Sequence, residues 1–393
     1  MNTTDFNELI DRRGSHCCKW DSCTDPDVIP LWIADMDYRA AEPIRRALQR
    51  RMDHGVFGYS CVPDEFYEAA IEWFRKYHGW TIRREWMLYT TGVVPAISAT
   101  IKALAAPGEK VLVQTPVYNC FFSSIRNQGC QVEMSPLAYL ADAEGDGGQP
   151  TYAVDWEDFE RRCADPAVKL FLLCNPHNPA GRVWTRGELE RMAEVCLRHG
   201  VTILADEIHC EMVYPDHDYT PIASISEACR KACVTFLSPS KSFNIAGLQV
   251  ADIVCDNAEW RQRIDRAINQ HETCDLNPFA VEAQIAAYTE GRPWIEQLNA
   301  HHWENYQLLL HFFRERLPQL PVTRLEGTYL PWVNITSTGE TADELCERLL
   351  RDAKVRLNPG TMYGPEGKDF IRINIACPRS RLQEALERIA PHL

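Results

Sequence analysis

Short, nearly continuous apolar runs recur through the middle of the chain: Trp86 to Tyr89, Lys110 to Gln114, Val168 to Cys174, Val201 to Ala205, Cys233 to Leu237 and Gln249 to Val254. Runs of this length with little polar alternation predict strands buried on both faces. Between them lie stretches of helical period. Gly92-Val93-Val94-Pro95 opens a helix reaching Ala105, Tyr118 to Gln128 is a second, and Arg186 to His199 a third. Strand and helix in alternation predict an α/β fold, an open, mostly parallel sheet flanked by helices.

The ends of the chain have a different texture. Residues 1 to about 45 show no long helical pattern and predict an arm or a small first layer. A helix from Ala41 to His54 is stopped by Gly55, Phe57 to Ser60 make a turn, and residues 64–78 form an amphipathic helix with Phe66, Ala70, Trp73, Phe74 and Tyr77 on one side. After about residue 280, helical stretches lead to short apolar runs at Gly327 to Ile335 and Phe370 to Asn374, with helices at Ala342 to Lys354 and at the end. This predicts a smaller α+β domain. The expected division is a large domain over residues 46–282 and a small one made of residues 1–45 and 283–393.

Composition narrows the function classes. Forty-one Lys and Arg against 55 Asp and Glu give a net charge of −14, which argues against general affinity for nucleic acid or an anionic membrane. The cluster Arg45-Arg46 with Arg50-Arg51 has the spacing of a solvated helix face. Sixteen cysteines, scattered and without a charged, apolar leader, predict a reduced, cytoplasmic protein. His16-Cys17-Cys18 with Cys23 lacks a second pair at zinc spacing, so no metal is expected. No apolar run has the length of a membrane span. Gly145-Asp146-Gly147-Gly148 does not follow a strand, and Gly367-Lys368 lacks the rest of a Walker motif, so ATP and NAD are not expected.

Unusual polar residues collect at four predicted strand ends: Thr115 to Tyr118, Asn175 to Pro179, Asp206-Glu207 and Ser238-Pro239-Ser240-Lys241. Ligands of open α/β sheets bind at those ends. Lys241 is placed to form an imine with a phosphorylated aldehyde, although the same four residues suit a capped turn with a solvated lysine. A Ser-x-x-Lys penicillin-binding site would need Lys-Thr-Gly and Ser-Asp-Asn motifs, which the chain lacks. The helix start at Gly92, Val93 and Val94 suits a phosphate, with Ser238 and Ser240 as further donors. Asp206 suits a pyridinium N–H or an arginine, Tyr118 a ring face or the core, and Asn178 a ring oxygen or a turn. Arg372, in the apolar run Phe370-Ile371-Arg372-Ile373, suits a carboxylate.

Asn175-Pro176-His177-Asn178-Pro179-Ala180-Gly181, Asp206-Glu207, Ser238 to Lys241 and Phe370 to Ile373 together resemble the fold-type I pyridoxal-phosphate enzymes of the class I/II aminotransferase superfamily. Lys19-Trp20-Asp21, Ala34-Asp35-Met36-Asp37, His54 to Tyr59, His78-Gly79-Trp80, Gly92 to Pro95, Gln114 to Tyr118, Asp206-Glu207-Ile208-His209, Lys241 to Gln249 and Ala376 to Ser380 narrow the likeness to MalY/PatB-type cystathionine β-lyases, over essentially the whole chain. The resemblance implies a large domain built on a seven-stranded sheet and pyridoxal 5'-phosphate carried by Lys241, which is also the base at Cα. It implies Asp206 at the ring nitrogen, Tyr118 on the ring, Asn178 and His209 beside it, and Arg372 on the substrate carboxylate.

It further implies a homodimer in which Tyr59 reaches the neighbouring subunit's phosphate and substrate. Many aminotransferases have tyrosine and arginine where this chain has His209 and Gln249, which agrees with the lyase subgroup. The implied reaction is β-elimination on cystathionine or another S-substituted cysteine, giving pyruvate, ammonia and a thiol. A class I/II aminotransferase and a partner-binding regulatory protein on a lyase scaffold stay open as alternatives.

Overall fold

The computed structural model describes residues 4–141, 148–270 and 275–393. Of the segment Gly145 to Gly148, all but Gly148 lies outside the described residues. The centre is a seven-stranded sheet in the order Met87–Thr90, Ala251–Cys255, Cys233–Leu237, Thr202–Asp206, Val168–Cys174, Lys110–Thr115, Gln131–Pro136. Five strands from Cys233–Leu237 to Gln131–Pro136 pair in parallel, and Ala251–Cys255 runs antiparallel to both its neighbours.

Alternate side chains enter two packed layers, as the pleat requires. Leu112, Phe171, Leu173, Ile203 and Ala205 join one core cluster, whereas Val111, Val113, Leu170, Leu172 and Leu204 join the other. Each fully buried Leu, Ile or Phe contributes about 1.5–3 kcal/mol, which is why these strands carry so few polar residues. The helices follow their sequence signals. Arg186–His199 starts in a Thr185/Glu188 capping box and ends at Gly200, while Asp64–His78 ends at Gly79, both glycines being left-handed.

Some elements differ from expectation. The edge strand Gln131–Pro136 escapes notice because its Gln, Glu and Ser leave no apolar run, and the helices Trp156–Cys163 and Ala258–Asn269 are short of apolar residues for the same reason. The helix expected over Tyr118 to Gln128 spans Cys120–Asn127, and the one expected to reach Lys354 ends at Arg348, followed by one wider turn over Leu349–Ala353. No helix follows Lys241; a 3-10 turn over Ala246–Leu248 leads into the next strand, so Ser238 and Ser240 cap nothing.

A three-stranded antiparallel sheet places Phe370–Arg372 between Trp332–Asn334 and Asn358–Pro359, and the arm's Ile29–Pro30 pairs in parallel with Val355–Arg356. The expected boundaries at 45/46 and 282/283 fall inside the helices Glu42–His54 and Pro278–Glu290, which pack on each other. Among the described residues no helix is long and apolar enough to cross a membrane. The metal-type gathering among them is His78, Cys210 and Glu211, where one Glu211 oxygen already accepts from Trp73 Nε1 and lies 2.7 Å from His78 Nε2.

Candidate functional site

Four strand ends meet as expected. Gly92, Val93, Val94, Tyr118, Asn178, Asp206, His209, Lys241 and Arg372 all line one cavity of about 460 Å³. Three expected residues do not. Ser238 and Ser240 are not among its lining residues; the Ser238 hydroxyl donates to Val250 O at 2.6 Å and accepts from Ser240 N at 3.0 Å, with Ser240 Oγ 2.8 Å away. Tyr59 is fully exposed on this chain, in a run with the exposed Val56 and Phe57.

The helix Val93–Leu104 begins without a side-chain cap, so the Val93 and Val94 amides stay open at the cavity wall, at the positive end of the helix dipole. Gly92 enters with φ +151° and ψ 163°, a conformation that side chains with a Cβ rarely adopt. The sequence thus puts a glycine where an anion cradle has to turn into a helix.

Lys241 follows the fully buried strand Cys233–Leu237, and its Nζ donates to Ala34 O at 2.7 Å. Burial lowers its pKa from the ordinary lysine value, with Arg372 adding to the effect and Asp35 and Asp206 opposing it. Asp206 ends its strand with only the Ile208 N–H, at 3.2 Å, on its carboxylate, and burial pushes its pKa up to about 7 against that bond and the pull of Lys241. The alternative of an arginine partner is not met among the described residues. Buried His209 is driven down to about 3 by desolvation and by the charges of Lys241 and Arg372, and its Nδ1 has no partner.

Arg372 is 3% exposed in the middle strand of the small sheet. One guanidinium nitrogen donates to Asn178 Oδ1 at 3.0 Å, the other to Trp32 O at 3.0 Å, the group lies 4.7 Å from the Tyr363 ring centre, and Nε has no partner. Both acceptors are neutral. A buried cation without an anion is costly, and a carboxylate entering the cavity would relieve it. Because Asn178 Oδ1 is committed to Arg372, its Nδ2 is left as the donor.

Apart from one helix start, the cavity thus offers a carboxylate without a cation, a cation without an anion, an amine of lowered basicity and an aromatic ring, Tyr118. That set fits a phosphorylated aldehyde with a protonated ring nitrogen, together with a substrate carboxylate. Sequence reasoning missed Trp32, Ala34, Cys120, Asn358, Met362 and Tyr363, which also line it. Gly360 carried a signal for the last of these, since a Cβ there would meet Gly367 O at 2.1 Å and only glycine lets the loop bearing Met362 and Tyr363 fold back.

The raised Asp206 value predicts a pH effect on the cofactor-free protein. Between the unfolded value of 3.8 and about 7 the folded state binds more protons than the unfolded one, so stability falls as pH rises through that window. Asp206→Asn should therefore gain on the wild type from pH 4 to 7, by on the order of a few kcal/mol, and stay level above pH 8. Denaturant melts of both apoproteins check this, and parallel pH curves would refute it.

The family model described as "Aminotransferase class I and II" matches residues 26–389. The chain is 39% identical over 388 residues to "Cystathionine beta-lyase PatB" of Bacillus subtilis (strain 168), covering 98% of each. It is 34% identical over 388 residues to "Protein MalY" of Escherichia coli (strain K12), covering 97% of each. Among solved structures it superposes on cystalysin from Treponema denticola, which contains a pyridoxal 5'-phosphate cofactor, with a TM-score of 0.93, 30% identity and coverage of 99% of this chain and 98% of that one.

Proposed function

Because the chain belongs to the class I and II aminotransferase family, with a fold-type I architecture, we propose that it is a pyridoxal-phosphate-dependent carbon–sulfur β-lyase. Its substrates are cystathionine or other S-substituted cysteines, which with water give a thiol, pyruvate and ammonia. The observation that carries this is the convergence of Lys241, Asp206 and Arg372 on one cavity, each lacking the partner that cofactor or substrate would bring.

Val93 and Val94 amides would hold the phosphate, Asp206 the ring nitrogen, Tyr118 the ring face, and Asn178 Nδ2, with His209 nearby, the ring's oxygen side. When bound, the cofactor supplies a sink for the electron pair left at Cα. The chain's own residues do the rest. Arg372 fixes the substrate carboxylate and so orients the Cα–H bond. Lys241, whose amine burial makes easier to deprotonate than an ordinary lysine, takes the Cα proton at Nζ. His209, neutral at working pH, adds no charge against Lys241.

The subunits are proposed to pair, with Tyr59 of the partner subunit completing the phosphate site and reaching the substrate. The exposed Met52, Val56 and Phe57, the last tilted against Phe279 with ring centres 5.5 Å apart, form an apolar surface for a second copy. Tyr59→Phe should weaken cofactor binding about tenfold or more, the worth of one hydrogen bond to a charged group. Unchanged cofactor affinity would remove this contact. We also place the protein in the cytoplasm, in keeping with fifteen described cysteines that are all free. The expected domain division stands as a proposal, with its edges moved to the ends of the two helices it cuts.

The test of function is assay of pyruvate and free thiol from cystathionine and S-methylcysteine. Equal release of both supports β-elimination. Neither product from either substrate would overturn it, and a sulfur-containing keto acid without thiol, formed once a second keto acid is supplied to take the amino group, would identify an aminotransferase.

A further inference from the structure

Successive backbone carbonyls of the arm are held by side chains of the catalytic cavity and its neighbours. Trp32 O accepts from Arg372 at 3.0 Å, Ile33 O from Asn374 Nδ2 at 2.6 Å, Ala34 O from Lys241 Nζ at 2.7 Å, Asp35 O again from Asn374 at 2.8 Å, and Met36 O from Asn244 Nδ2 at 3.0 Å. Asn244 also accepts from Met36 N at 3.2 Å and donates to Tyr38 O at 2.8 Å. It stands three residues after Lys241 with φ +56°, in the turn that carries the lysine. One side chain thus ties the lysine's own turn to the strap whose Ala34 carbonyl receives the lysine's amine.

We propose that Asn244 is a positioning residue for the reaction: by fixing the arm over the Lys241 turn, it holds the Ala34 carbonyl as the docking point of the lysine amine whenever that amine is free. This rests on the lyase reading above, in which the amine must be free while it takes the Cα proton. A lysine side chain has four rotatable bonds and would otherwise leave the position where Cα is presented. A neutral carbonyl acceptor restrains the amine without forcing it to stay protonated, as a carboxylate would. Asn374, fully buried, holds the same strap through Ile33 O and Asp35 O and accepts from Ala376 N at 2.7 Å.

The test variant is Asn244→Gly, because glycine tolerates the positive φ and removes only the side chain. Hydrogen exchange at the Met36 amide reports the strap without turnover and should quicken. With S-methylcysteine, kcat should fall about 100-fold, the scale of a 1 Å misplacement, with KM within threefold. The isotope effect from deuterium at Cα should rise as proton removal becomes limiting. Asn244→Asp, which keeps the acceptor for Met36 N but sets a second acceptor against Met36 O and Tyr38 O, should show the same losses.

Quickened exchange with unchanged kcat and isotope effect would overturn the proposal and leave Asn244 a structural tie. Unchanged exchange would overturn it as well. If Asn244→Gly does not fold, Asn244→Asp gives the same three readouts at the same position, and each of them supports or overturns the proposal in the same way. Wild-type protein that releases neither pyruvate nor thiol would instead refute the lyase reading.

Discussion

Lys241→Ala is expected to lower kcat/KM for pyruvate and thiol release by at least about a thousandfold, within the range a positioned base contributes and with the cofactor's covalent hold lost besides. The amine it removes sits 2.7 Å from Ala34 O at the end of a fully buried strand, with its pKa lowered chiefly by desolvation. Its loss also takes away a charge that favours ionised Asp206, so that carboxyl should become harder still to ionise in the cofactor-free variant. Lys241→Arg separates charge from basicity. A guanidinium keeps the positive charge and cannot give up its proton, so it should be as inactive as alanine. Steady-state assays with the absorbance spectrum of the cofactor-loaded protein decide the matter, and a tenth of wild-type activity in either variant would refute the assignment.

Arg372→Met is expected to lower kcat/KM by about 30-fold to several thousandfold, the range of 2–5 kcal/mol for truncating one member of a buried charge pair. Its effect on the unliganded protein should have the opposite character. Arg372 is 3% exposed, its two acceptors are neutral, and its Nε has no partner, so the apoprotein carries an uncompensated buried cation. Replacing it with an apolar side chain of similar length should leave Tm unchanged or raise it. A loss of activity together with several degrees of Tm would mark Arg372 as a packing residue. Arg372→Lys should recover little, because an ammonium cannot reproduce the two-pronged geometry.

The sheet was legible because burial on both faces leaves no room for polar residues, and Val168–Cys174 or Cys233–Leu237 can hardly be anything else. Gln131–Pro136 was illegible for the converse reason, its outer face being wet. The site was legible where chemistry conflicts with place: an aspartate at the end of one buried strand, a lysine just past another, and an arginine closing a third. Pairwise contacts are another matter. Nothing in the spelling of Ser238 and Ser240 tells that one hydroxyl turns to Val250 O, twelve positions on, rather than to the cavity. The arm was equally opaque, since backbone carbonyls carry its contacts and every residue has one. The motif Lys19-Trp20 with Asp37 turns out to anchor it, through Lys19 Nζ at 3.0 Å and Trp20 Nε1 at 2.8 Å on one buried carboxylate.

The one reversed strand, Ala251–Cys255, brings the chain back into the sheet directly beside the strand it has just left. The segment from Ser238 to Val250 is therefore a short excursion with both feet in adjacent strands and a hydroxyl bridging them at 2.6 Å. A crossover helix would have let natural variation add or delete residues freely; this closed path does not. One residue inserted between Ser242 and Gln249 would either slip the pairing of Asp252 with Leu237 or swing the lysine sideways. Length, more than identity, is thus the property of this stretch that descent should preserve, and loop grafts between relatives should succeed here only when their residue counts agree.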